Sequence, residues 1–251
     1  MVSDPIYQFR AELKDYRPKI WRRFRVMSNI TMADLGYVVM TMYKMMAEHL
    51  FRFEMKLKKS APERHMPQGL IDNSEYVSVL LNSLSDLSDK KAPSELFDEF
   101  FAPKRWFFEL IYEDFDLMFR PTDMVFDVME SNLRDVMSVP GEKITFDYDF
   151  GDDWRVELKL EKVIEDNGLS DEEIPRILAG KGYGIIEDCG GVWGLAEMAE
   201  AFKVRSGEKY EMYREWLGVD DLDLEMFDIE GMNNELKYRP KKYSEIYEQT
   251  E

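Results

Sequence analysis

Two alternating runs joined by a three-residue acidic turn limit the folds open to this chain. Lys143 to Phe150 places Ile144, Phe146, Tyr148 and Phe150 on one side, and Trp154 to Val163 repeats the pattern through Trp154, Val156, Leu158 and Leu160. A period of two belongs to a strand with one buried face. Gly151-Asp152-Asp153 between the runs supplies the turn chemistry of a hairpin that carries carboxylates. Such a hairpin needs further strands beside it and a layer against its apolar face, so an all-helical fold is excluded.

The amino-terminal region supplies more strands. Ile6 to Leu13 alternates with Tyr7, Phe9, Ala11 and Leu13 on one side. Ile20 to Val26 sets Ile20, Arg22, Phe24 and Val26 against Trp21, Arg23 and Arg25, so the two runs read as an antiparallel hairpin. Thr31 opens a helix as N-cap, with Asp34 three residues on in a capping-box position. Its apolar stripe runs through Met32, Leu35, Val38, Val39, Met42, Tyr43 and Met46. His49 to Leu57 resumes alternation as a third strand.

From Lys58 the chain reads as a linker followed by helices at Ser74 to Leu87 and Ser94 to Phe101, then aromatic strands at Trp106 to Tyr112 and Phe115 to Arg120. After a short helix at Asn132 to Met137 and the hairpin above come a helix at Asp171 to Leu178 and a glycine loop at Gly180 to Gly184. Helices follow at Leu195 to Lys203, Tyr210 to Leu217 and Ile229 to Leu236. The expected fold is α+β: a mostly antiparallel sheet covered by helices, as a single domain over 1–251 with a helical insertion at about 58–125.

Charge is unevenly spread. The chain of 251 residues has a net charge of −18, yet residues 1–60 hold 12 Lys and Arg against 6 Asp and Glu, leaving 21 against 45 for the rest. Complementarity between two halves of one protein accounts for this, as does a basic patch for an anionic partner. One cysteine, Cys189, rules out an intrachain disulfide and an all-cysteine metal site. No apolar run reaches the roughly 18 residues of a membrane helix, and Met1 to Arg10 lacks a secretory pattern. The cytoplasm is the expected location.

Several motifs in order carry a family resemblance. They are Tyr7-x-Phe9, Leu13, Pro18-Lys19-Ile20-Trp21-Arg22-Arg23, Leu35, His49-Leu50 with Phe53, the Tyr148 to Trp154 hairpin, and Glu187-Asp188-Cys189-Gly190-Gly191. Over roughly 6–57 and 130–236 the chain resembles the plasmid pRiA4b ORF-3-like family. The resemblance implies an α+β fold and an accessory gene of plasmids and transposable elements, without an established reaction. Ile185, Ile186 and Ile177 stand where the family often has prolines and a further cysteine, so a cysteine-based metal site shared by the family would be broken here.

Trp21, Arg22, Arg23, His49, Tyr148, Asp149, Asp152, Asp153, Trp154, Glu187 and Asp188 form the candidate binding cleft. Arg22 and Arg23 are expected to pair with the acidic hairpin as guanidinium forks. Asp152, Asp153, Glu187 and Asp188 are candidate ligands for a divalent cation, though carboxylates in such turns ordinarily cap backbone N–H groups. Cys189, just ahead of a helix, lies where a thiolate would be stabilised. The leading expectation is a non-enzymatic interaction module with a protein partner and no cofactor. The alternative is a metal-dependent hydrolase acting on a phosphodiester or similar substrate. Nucleic acid is a third partner class, through the basic amino-terminal region and its Trp21, Arg23 and Arg25. No membrane is involved.

Overall fold

In a computed structural model of the chain, residues 4–57, 67–69, 105–111, 123–165 and 174–248 are described. Eight strands form one sheet: β1 (Ile6–Leu13), β2 (Trp21–Met27), β3 (Phe51–Lys56), β4 (Arg105–Glu109), β5 (Asp123–Asp127), β6 (Lys143–Tyr148), β7 (Trp154–Ile164) and β8 (Arg176–Lys181). Their order across the sheet is β5-β4-β3-β6-β7-β1-β2-β8. Every neighbouring pair is antiparallel except β4 with β5. The amino-terminal hairpin thus lies beside the acidic one, with β1 against β7. Six helices are described: α1 (Met32–Tyr43), α2 (Leu133–Val136), α3 (Gly191–Val204), α4 (Glu208–Leu217), α5 (Ile229–Glu235) and α6 (Arg239–Glu248).

Helix α1 begins as its sequence dictates. The Thr31 hydroxyl accepts from Asp34 N while the Asp34 carboxylate accepts from Thr31 N, so two of the four orphan donors at the helix start are satisfied. Lys44, at φ 61°, stops it, leaving Met46 outside the helix and half exposed. All of α1 except Asp34 is buried, because its stripe lies on the inward phenyl and tyrosyl side chains of the sheet. At Gly36 a Cβ would stand 2.7 Å from the Phe51 ring; the missing methyl lets helix and sheet approach. Phe9, Phe24, Phe51, Phe53, Phe146 and Tyr148 complete this core, each essentially inaccessible and each stabilising by about 2 to 3 kcal/mol.

Three stretches depart from expectation. Residues 176–181 form strand β8 rather than the end of a helix at 171–178 and a glycine loop: Ile177 alone among them is fully buried. Asn233 fixes that edge strand by accepting from Ile177 N at 2.7 Å and donating to Ile177 O at 3.1 Å. Helix α6 has no apolar stripe to announce it, because it buries only Tyr243 and Tyr247. The interval 58–125 contains β4 and the start of β5, whose parallel pairing adds a strand at 123–127 where none was expected. The expected helices at 74–87 and 94–101 and the strand at 115–120 lie outside the described residues.

One charge ties the layers together. Arg22 projects from β2 into the core with its side chain wholly buried. It donates to the carbonyls of Met42, Trp21, Lys181, Gly182 and Tyr183 at 2.7 to 3.2 Å, and its guanidinium lies 3.7 Å from the Phe227 ring centre. Burial draws its pKa down to about 10, so it stays charged at neutral pH. A lysine has three donors from one point and cannot reach five divergent carbonyls. Arg22→Lys is therefore expected to destabilise by about 3 kcal/mol or more, read from urea unfolding midpoints; an unchanged midpoint would refute this role.

Candidate functional site

The two acidic turns meet at one end of the sheet. In the β6–β7 turn Asp149 and Asp153 adopt φ of 53° and 56°, a left-handed conformation that Asp tolerates among non-glycine residues. The Asp149 carboxylate accepts from Gly151 N at 3.0 Å and Asp152 N at 3.3 Å, tying the turn to itself. Asp152 reaches the second turn, its Oδ2 accepting from Gly190 N at 3.3 Å. Closure depends on glycine: a Cβ on Gly191, at φ 67°, would fall 2.4 Å from the Asp152 carbonyl oxygen.

Glu187 is the centre of this junction. Its side chain is 1% exposed, and Oε1 accepts from the Tyr148 hydroxyl at 2.7 Å and from Met46 N at 2.6 Å. Among the described residues Oε2 has no hydrogen bond; it faces His49 Nε2 at 3.8 Å, while Asp149 Oδ2 lies 3.6 Å from the same nitrogen. The His49 ring meets Tyr148 edge-on at 5.7 Å. Burial, reinforced by Glu187, raises the Tyr148 pKa far above its ordinary value, so this phenol is a permanent donor to the carboxylate.

Residues 44–50, which carry His49, are held from both sides. Tyr148 accepts from Glu48 N at 3.2 Å. From α6, the Tyr243 hydroxyl donates to Met45 O at 2.6 Å and Tyr247 to His49 O at 2.5 Å. The rim outside the carboxylates is apolar and exposed: Met46, Leu50 and Phe150 are each about half exposed, and Trp193 in the first turn of α3 is 85% exposed.

Of the sequence candidates, His49, Tyr148, Asp149, Asp152 and Glu187 come together, and Asp188 lies exposed beside them at φ 60°. Trp154 is core, its ring fully buried. Asp153 turns away to Arg155, 2.9 Å distant. The expected pairing with the acidic hairpin is overturned for Arg22, and for Arg23 it reaches a carboxylate on the hairpin's second strand, not those of its turn. Consecutive strand residues face opposite sides of a sheet, so Arg22 enters the core while Arg23 emerges on the other face and forks onto Glu161 at 2.7 and 2.9 Å. Trp21 lies on that outer face, with the Arg10 guanidinium 4.0 Å over its ring. Tyr243, Tyr247 and the Met46 backbone were not legible as site groups, for nothing in their local pattern distinguishes them.

The chemistry open to this arrangement is narrow. Among the described residues no group of three or more His, Cys, Asp or Glu side chains is placed to hold a metal ion; Asp152, Asp153 and Glu187 are turned to Gly190, Arg155 and Tyr148. Cys189 is no stabilised thiolate: burial, with the Asp152 carboxylate nearby, pushes its thiol up to about 12.

Fold and junction together define an α+β module whose eight-strand sheet brings two acidic glycine turns into contact. The chain belongs to the plasmid pRiA4b ORF-3-like protein family, whose model matches residues 5–231. It is 33% identical over 93 residues to the uncharacterized protein y4hQ of Sinorhizobium fredii (strain NBRC 101917 / NGR234); the match takes in 37% of this chain and 46% of that protein, so it spans less than half of the relative's length. The crystal structure of a protein of unknown function, MM3350 from Methanosarcina mazei Go1, superposes with a TM-score of 0.64 at 26% identity, covering 91% of this chain and 98% of that one. None of the described helices is long and apolar enough to cross a membrane.

The single cysteine gives a clean probe of the junction. At mildly alkaline pH the native Cys189 should hold roughly a thousandfold less thiolate than an ordinary thiol. Iodoacetamide alkylation followed by mass spectrometry should be slow in the native protein and fast in denaturant. Equal rates would mean that the two turns do not enclose the sulfur.

Proposed function

We propose that this protein is a non-enzymatic interaction module whose joined acidic turns capture a basic segment of a partner protein. The observation that carries this reading is the pairing of an unsatisfied, buried carboxylate oxygen with an exposed apolar rim. Among the described residues Glu187 Oε2 lacks a hydrogen bond, and Asp149 stands across His49 from it. A buried carboxylate oxygen without a donor is costly, and an entering ammonium or guanidinium group would satisfy it. Trp193 offers an exposed ring face and Met46 and Leu50 offer apolar area for the partner's side chains, while the Phe150 ring already carries the Arg52 guanidinium at 5.0 Å. Exposed aromatic side chains around a charged centre are the usual composition of binding hot spots. The net charge of −18 draws basic partners towards the protein.

The reading is tested with a fluorescein-labelled octalysine peptide and the full chain, by fluorescence anisotropy. Trp193→Ala, at a position too exposed to affect folding, should weaken binding by about 2 kcal/mol, roughly thirtyfold. Trp216→Ala, on α4 and also exposed, should leave it unchanged. Failure of the peptide to bind, or equal losses in the two variants, would overturn the assignment of this surface.

A further inference from the structure

The outward face of the central strands carries a charge pattern that sheet stability does not explain. Arg23, Arg10, Lys159 and Lys143 stand directly opposite one another on β2, β1, β7 and β6: Arg10 pairs with both Arg23 and Lys159, and Lys159 with Lys143. These strands are about 4.8 Å apart, so four cations cross the sheet in one row. A second row holds Arg176 opposite Arg25, and Gln8 between Arg25 and Lys162. Like charges directly opposite on neighbouring strands destabilise a sheet, and this chain is strongly acidic elsewhere.

Nearby carboxylates offset part of the two rows: Glu12 lies 3.5 Å from Arg10 and is shared with Lys19. Glu161, at the irregular register where β7 passes Gln8 and Phe9, is taken by Arg23 and Gln8. Glu157 is shared by Lys143 and Lys14. Among the described residues Lys159, Lys162, Arg25 and Arg176 have no ion-pair partner, and Lys159 and Lys162 border a hollow of about 630 Å³ with Arg23, Gln8, Pro140 and Gly141. Trp21 flanks the row, its partly exposed ring beneath the Arg10 guanidinium.

We propose that this face, uncovered among the described residues, binds single-stranded nucleic acid, with the cationic rows on the phosphates and the Trp21–Arg10 stack receiving a base. Charge complementarity calls for a polyanion, and the planar stack selects one with flat groups. An acidic peptide would satisfy the cations and leave the stack unused. The site is separate from the acidic junction and stands or falls independently of it.

Anisotropy of a fluorescein-labelled thymidine oligomer of about twenty nucleotides tests the proposal on the full chain. With four phosphates neutralised, affinity should fall roughly fiftyfold between about 50 and about 200 mM salt. Lys159→Glu and Lys143→Glu, both at exposed positions, should each weaken binding about tenfold and flatten the salt dependence. Lys203→Glu on α3 makes the same charge change on a different surface and should have no effect; circular dichroism would confirm that all three variants fold. Absence of binding at low salt would overturn the proposal, as would equal losses in all three variants or tighter binding of a duplex. Competition by oligoglutamate of matched charge, as effective as that of unlabelled oligomer, would reassign the face to acidic peptides.

Discussion

The buried carboxylate of Glu187 is the contact on which the site depends. It joins three segments at one point: the end of β6 through Tyr148, residues 44–50 through Met46 N, and the glycine turn ahead of α3. A carboxylate so deeply buried is tolerable only with donors on it, and Oε1 has two. Among the described residues the second oxygen has the His49 nitrogen 3.8 Å away and no hydrogen-bond donor. Packing and hydrogen bonding therefore fix one half of this group and leave the other half as chemistry.

Arg22 plays the corresponding part at the basic hairpin. Its donors end on main-chain carbonyls rather than on carboxylates, so the interaction is indifferent to the acidic side chains that appeared to be its partners. The five acceptors come from β2 itself, the last turn of α1 and the stretch leaving β8. Segments 159 to 161 residues apart are registered by one guanidinium. The basic hairpin and the second acidic turn are thus linked through backbone, four residues or more before Glu187 is reached.

Sheet and helix periodicities made much of the fold readable. The hairpins at 6–26 and 143–164, the capped helix from Met32 and the short helix near 133 all announce themselves by apolar spacing and turn chemistry. Strand β8 did not, since Arg176, Leu178 and Gly180 present no alternation of burial that a short edge strand must show. At the site, adjacency of the two acidic glycine turns could be anticipated from their composition, and the glycine at 191 carries the reason in its missing Cβ. What could not be read was the direction of individual side chains. Alternation alone separates Arg22 from Arg23 and sends them to opposite faces, but a carbonyl set gathered from three segments leaves no mark on local sequence. The same applies to Tyr243 and Tyr247, which are visible only as two aromatics in a polar helix.

Those two tyrosines bear on how the molecule assembles. Each hydroxyl bonds a carbonyl 198 positions earlier, and the Tyr247 ring also stacks on Tyr37. Closing loops of that length is slow relative to forming local hairpins. During synthesis the strands and α1 can come together well before α6 exists, yet the stretch bearing His49 lacks two of its anchors until then. The order in which the chain emerges from the ribosome therefore separates the making of the scaffold from the completion of its acidic centre.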